Sequence, residues 1–169
     1  MSEGDIIMSD CLVIIDVQKG FLTENTCCVP DRIKDLVGKK SFSHVVATRF
    51  INSVNSPHYR ITNWKGLMDN KSQEFDDYIA QIAEKIFDKS INSCFSSEFL
   101  DYLKQENIDK LYFVGIDTDC CVLKSAFDCF DKGIPFEVLT ECCLSTAGIE
   151  IHNAACKILL RNFGEECIK

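Results

Sequence analysis

Three stretches far apart in the chain carry residue types that can do chemistry together. IIDVQKGF holds Asp16, FDKS holds Lys89, and GIDTDCCVLKSA holds Cys120 and Cys121 behind Asp117 and Asp119. A thiol attacks a carbonyl carbon only as the thiolate, and its ordinary pKa is about 8.5. A helix N-terminus and a nearby ammonium both favour the thiolate, and a carboxylate can take the proton. Each residue alone has an ordinary structural alternative. Asp16 can be a turn residue, Lys89 a solvated lysine, and either cysteine a small buried hydrophobe. Histidine is the commoner partner of a nucleophilic thiol, but the chain has three histidines, and of these only His152 falls in a helix that can approach the site. On this logic the nucleophilic thiol of the pair, with a helix terminus and Lys89 beside it, should alkylate ahead of the other ten cysteines.

These residues meet only if the chain carries their segments to one edge. Five segments read as strands: CLVIIDV (11–17), HVVATRF (44–50), KIFDKS (85–90), KLYFVGI (110–116) and PFEVLTE (135–141). The first, second and fourth are near-continuous apolar runs, as strands buried on both faces should be. ECIK at the carboxyl end is a candidate sixth, edge strand. Helical patterns fall between them, over 31–40, 73–84, 97–106, 120–132 and 148–163, with Ser97 as an N-cap and glycines stopping the last two. Strands alternating with helices imply right-handed crossovers. The expected fold class is therefore α/β, a three-layer doubly wound domain. Its mostly parallel sheet of five to six strands carries helices on both faces. Such sheets bind ligands beyond the carboxyl ends of their strands. That is where Asp16, Arg49, Lys89 and the GIDTDCC turn fall. The polar, aromatic stretch 52–69 reads as a loop over the same edge.

At 169 residues the chain fits one domain, 1–169. Its net charge of −8 disfavours nucleic acid and anionic membrane as partners. No apolar run is long enough to span a bilayer. The acidic start, MSEGDIIMSD, has no secretory pattern, so a cytoplasmic location is expected. Eleven cysteines without a C-x-x-C pair suit neither a zinc finger nor a disulfide framework. A disulfide between the neighbours Cys120 and Cys121 would be strained.

The motifs resemble those of the isochorismatase-like cysteine hydrolases, a family that includes nicotinamidases and N-carbamoyl-amino-acid amidohydrolases. Its D-x-Q-x-x-F reads DVQKGF (16–21) here. Its lysine after the third strand is Lys89, followed by Ser93 and Phe95. Its G-[VI]-x-T-D-x-C-V reads GIDTDCCV (115–122). The similarity runs from about Cys11 to Gly164. It implies a catalytic triad of Asp16, Lys89 and Cys121, and so selects Cys121 over Cys120. It also implies a cis peptide at Ile116–Asp117 and an oxyanion hole from the N–H groups of Asp117 and Cys121. The sequence departs from the nicotinamidases after the second strand. There TRFINSVNSPHYRITNW offers His58 as a lone candidate ligand, so no metal and no cofactor is expected.

The reading that follows is a metal-independent hydrolase of a small amide or N-carbamoyl compound, forming a homo-oligomer. Its rivals are a nicotinamidase-type activity and a ligand-binding or regulatory protein on the same fold. Phe21, Phe50 and Trp64 are expected as apolar pocket walls, Asn52 as a polar contact, and Arg49 as the anchor for an acid group on the substrate.

Overall fold

The computed structural model describes residues 9–169. Most of the acidic start falls outside them. Five strands form one sheet: β1 (Ser9–Ile15), β2 (His44–Phe50), β3 (Lys85–Lys89), β4 (Ile108–Ile116) and β5 (Phe136–Leu144). Their order is β3-β2-β1-β4-β5, and every neighbouring pair is parallel. The switch from one winding direction to the other falls between β1 and β4. The sequence expectation of five to six strands resolves to five. The carboxyl end adds a single parallel bridge, Ile168 to Val138.

Side chains alternate across a strand, so β1 feeds two cores. Cys11, Val13 and Ile15 pack beneath α5 (Ser97–Gln105), α6 (Leu123–Asp131) and α7 (Ile149–Phe163). Leu12 and Ile14 pack against α1 (Val29–Lys39) and α4 (Asp77–Ile82) on the other face. All five of these β1 side chains are fully buried. Among the described residues, no helix is long and apolar enough to cross a membrane.

Two helical expectations shift for local reasons. The helix read over 73–84 is broken into α3 (Asn70–Gln73) and α4, because the segment between is used as backbone partner by the turn after β1. Lys19 N–H donates to Glu74 O, Asp76 N–H donates to Val17 O, and Phe75 bridges Gln18. The loop over 52–69 contains a short helix, α2 (Pro57–Thr62), capped by the Ser56 hydroxyl on the Tyr59 N–H. The helix expected from Cys120 begins instead as a wide π-turn, Thr118–Val122, in which Val122 N–H reaches back to Asp117 O at 3.1 Å. Such wide turns are rare and frequent at functional sites.

Candidate active site

The turn after β1 is built by the D-x-Q-x-x-F residues. Asp16 takes a left-handed backbone conformation, φ 52°, and its N–H still reaches Thr48 O on β2. That reverses the chain while aiming the carboxylate along the sheet edge. Gln18, fully buried, locks the turn in place. Its side-chain amide donates to Phe50 O and Gln73 O and accepts from Phe50 N–H. The sequence reading assigned Gln18 no role, although it stands inside the motif. Phe21 then enters the pocket wall. Gly20 is required by crowding: a Cβ there would lie 2.3 Å from Leu67 Cδ1 and 2.9 Å from Ser72 O.

Asp16, Lys89 and Cys121 converge. Lys89 Nζ lies 2.6 Å from Asp16 Oδ2 and 3.4 Å from Cys121 Sγ, and its third contact is Ile91 O at 3.1 Å. The ammonium has three donors and these are its three partners. Thr48 Oγ1 donates to Asp16 Oδ1 at 2.7 Å. Oδ2, in contrast, has no aligned hydrogen-bond donor, so its contact with Lys89 is an ion pair rather than a directional bond. All three residues are buried, Asp16 completely. Burial alone would pull the Lys89 ammonium down, but the Asp16 charge and the Cys121 sulfur push it the other way and win, so it stays above the ordinary lysine range.

The thiol corrects one expectation. Cys121 is pushed well above the ordinary cysteine value by its hydrogen bond with Cys120, by burial and by the Asp16 charge, against which Lys89 acts alone. The same hydrogen bond lowers Cys120, which is half-buried. The Cys120 hydrogen bond, burial and the Asp16 charge thus favour the protonated form of this shielded thiol. A helix terminus and a lysine do not outweigh a buried carboxylate beside the sulfur.

The Ile116–Asp117 peptide bond is cis. The Asp117 carboxylate accepts from Thr146 N–H at 2.6 Å and Thr146 Oγ1 at 3.0 Å, which ties the nucleophile turn to the loop after β5. Gly115 closes β4 onto β1. Its φ is +123°, and a Cβ would fall 2.1 Å from Ile15 O, one residue before Asp16.

A cavity of about 450 Å3 opens onto Cys120 and Cys121. Phe21, Phe50 and Trp64 line it. Phe21 and Trp64 lie nearly parallel with centroids 6.2 Å apart, and Phe50 meets both edge-on. His58 and Asn92 complete this side. The His58 ring packs on Phe50 and Trp64, and its Nε2 lies 2.7 Å from Asn92 Oδ1. Sequence reasoning missed Asn92, which has no signal beyond its place three residues after Lys89. Among the described residues, no group of three or more His, Cys, Asp or Glu side chains is arranged to hold a metal ion.

Two substrate-contact expectations are corrected. Arg49 is absent from the cavity wall. Its strand neighbour Phe50 faces the site, so the period of two turns Arg49 to the opposite face. There it forms a bidentate pair with Asp88, its register partner on β3, at 2.7 and 2.9 Å. Asn52 is buried, and its amide nitrogen donates to Trp64 O and Gly66 O. It supports the loop that carries Trp64 and does not reach the cavity.

Comparison with known proteins agrees with this fold. The isochorismatase domain family matches residues 10–167. Isochorismatase family protein 1B of Dictyostelium discoideum is 33% identical over 73 residues, which cover 40% of this chain and 35% of that protein. The match thus spans about a third of that relative's length. A nicotinamidase from Bacillus subtilis superposes with a TM-score of 0.78 at 18% identity, covering 96% of this chain and 100% of the other. An N-carbamoylsarcosine amidase from Thermoplasma acidophilum gives 0.77 at 19% identity, covering 96% of each chain. At these identities the structural likeness speaks for the fold. With the family match extending over nearly all of the described residues, the chain belongs to the isochorismatase-like hydrolase family.

Proposed function

We propose that this protein hydrolyses the C–N bond of a small amide or N-carbamoyl compound through a covalent intermediate on Cys121. The observation that carries the reading is one buried ammonium, Lys89, touching both a carboxylate and a thiol. Asp16 is the base. Thr48 occupies Oδ1, so Oδ2 is the oxygen with accepting capacity left. When substrate fills the cavity, the thiol proton passes to Asp16 and the sulfur attacks the carbonyl carbon. Lys89 holds the resulting charge, and the carbonyl electron pair moves to oxygen. The backbone N–H groups of Asp117 and Cys121 are the proposed oxyanion donors, each worth about 3 kcal/mol in such sites. The tetrahedral species collapses, the C–N bond breaks, and Asp16 returns its proton to the leaving amine. Water, deprotonated by Asp16, then cleaves the thioester or thiocarbamate and releases the acid.

The raised thiol fits this order of events. A resting thiol that ionises only with substrate present leaves Asp16 charged and ready as base. The chemistry uses no metal: charge is handled by Lys89 and backbone donors, and His58 is engaged by Asn92. All eleven cysteines are unpaired, which suits a reducing, cytoplasmic setting. The same reading takes the protein as a homo-oligomer, which sedimentation would measure.

The test is a panel of carboxamides and N-carbamoyl compounds, with turnover followed by ammonia or amine release and intact mass measured during turnover. An acyl or carbamoyl adduct mapped to Cys121, abolished in Cys121→Ala and accompanied by release of amine, is expected. Turnover should survive exhaustive chelation. Tight binding of panel members without any adduct or product would instead mark a ligand-binding protein.

A further inference from the structure

The cavity in front of Cys121 has an unusual charge balance. Among the described residues, neither lysine nor arginine lines it, while Asp117 does. Lys89 lies deeper and is committed to Asp16, Cys121 and Ile91 O. Arg49 is held on the other face of the sheet by Asp88. A substrate carrying a carboxylate would leave water for a largely aromatic space with no counter-charge and with an acid in its wall. Burying an unpaired charge is strongly unfavourable.

One wall group is placed to read polarity without charge. With Asn92 Oδ1 against His58 Nε2, the imidazole donates in this bond and the amide nitrogen takes no part in it. Asn92 stands in the cavity wall, and its amide nitrogen makes no hydrogen bond among the described residues. His58 is itself clamped edge-on by Phe50 and Trp64, with centroids 5.3 and 5.6 Å away. The donor is thus held by a ring that the pocket's own aromatic packing holds.

Resting on the hydrolase reading above, we propose that Asn92, oriented by His58, is the specificity-determining residue of this pocket. Its amide N–H donates to a neutral acceptor on an uncharged substrate, and the pocket rejects substrates that carry a carboxylate. The acid released by hydrolysis then meets the same unfavourable surroundings, which promotes its departure. A site built to hydrogen-bond a substrate group discriminates because its donor is left unpaired by the wrong ligand.

Aromatic aldehydes test this without requiring turnover. The Cys121 sulfur adds to the aldehyde carbon, the carbonyl electron pair goes to oxygen, and the thiol proton ends on that oxygen as a hemithioacetal. Three near-isosteric ring substituents separate the terms: acetyl, a neutral acceptor; isopropyl, with no acceptor; and carboxylate. Dissociation constants for meta- and para-substituted benzaldehydes would be measured by calorimetry on wild type, Asn92→Ala and Asn92→Asp. Cys121→Ala gives the noncovalent background. In at least one series the acetyl compound is expected to bind wild type about tenfold tighter than the isopropyl compound. The carboxylate should bind at least about tenfold weaker than acetyl. Asn92→Ala should reduce the acetyl advantage to the part that electron withdrawal by the acetyl group gives the aldehyde itself, while leaving isopropyl binding nearly unchanged. Asn92→Asp should do the same and weaken the carboxylate further.

Tightest binding by the carboxylate, or an acetyl preference as large in both Asn92 variants as in wild type, overturns the proposal. If all three aldehydes add to Cys121 with equal affinity, the nucleophile stands and this specificity assignment falls. If affinities follow Asn92 but are identical in Cys121→Ala, the pocket assignment stands and the covalent reading falls. If none binds, both fall.

Discussion

Lys89 holds Asp16 and Cys121 together, and the energetics of that contact are asymmetric. A buried ion pair adds little over a well-packed apolar pair, but removing one partner strands the other. Lys89→Met should therefore cost about 3–5 kcal/mol in denaturant melts at neutral pH, because Asp16 is left charged in a fully buried site. In the wild type, Lys89 holds its proton more tightly in the folded state than in the unfolded chain. Its contribution is complete below the ordinary lysine value of about 10.4 and is lost as pH rises through the higher folded value. Stability that fell with rising pH between 6 and 9 in step with Lys89 titration, on the order of a unit or more below ordinary lysine, would contradict this. The thiols give a second residue-scale prediction. With Cys121 shielded and raised and Cys120 half-buried and lowered, brief alkylation should label Cys120 and the exposed Cys27 before Cys121. Peptide mapping over a time course reads the order. Cys121 reacting first would mean that it rests as a thiolate, which the Asp16 charge beside it argues against.

At the scale of elements, the site depends on two close approaches. β4 meets β1 through Gly115, where a Cβ would strike Ile15 O and where the positive φ is unfavourable for any side chain. Gly115→Ala should cost at least about 3 kcal/mol from overpacking and backbone strain together. It should also displace Asp16 relative to Cys121, so activity per folded molecule falls as well. Gln18 joins the β1 turn to the end of β2 by two buried hydrogen bonds and to α3 by a partly buried one. Gln18→Leu would leave the Phe50 N–H and carbonyl unsatisfied, a loss of about 2–4 kcal/mol in thermal or chemical melts. Phe50 is a pocket wall, so the Michaelis constant should rise with it. The α3–α4 break follows from the same turn. Periodicity favours one helix over 73–84, but a continuous helix would consume the backbone groups of Glu74–Asp76 that the β1 turn needs.

At the scale of the whole molecule, the corrected place of Arg49 makes a clean control. Its pair with Asp88 is partly exposed and on the far side of the sheet from the cavity. Arg49→Met should leave the kinetics of any substrate unchanged and cost no more than about 1 kcal/mol. A large rise in the Michaelis constant would restore the anchoring role first expected from the strand-end position. That contrast marks the boundary between sequence and fold. Alternation of apolar strands and helices was enough to establish a doubly wound sheet. A doubly wound sheet in turn brings Asp16, Lys89 and the Cys121 turn to one edge, because parallel strands end together. Which side of the edge a side chain takes is set by pairing register and the period of two. Phe50 lines the cavity and Lys89 meets Asp16 and Cys121 behind it, while Arg49 and Asp88, one residue earlier on each strand, pair with each other on the opposite face. Asn52 looked like a polar contact by position, but the loop folds back on it and uses both donors of its amide. His58 and Asn92 are 34 residues apart and carry no shared local signal, and only the packing of α2 over the end of β3 brings them together. The protonation of Cys121 is likewise a tertiary property. Composition and spacing placed an ammonium and a helix end near the thiol, but burial, the Cys120 hydrogen bond and the Asp16 charge exist only once the chain is folded.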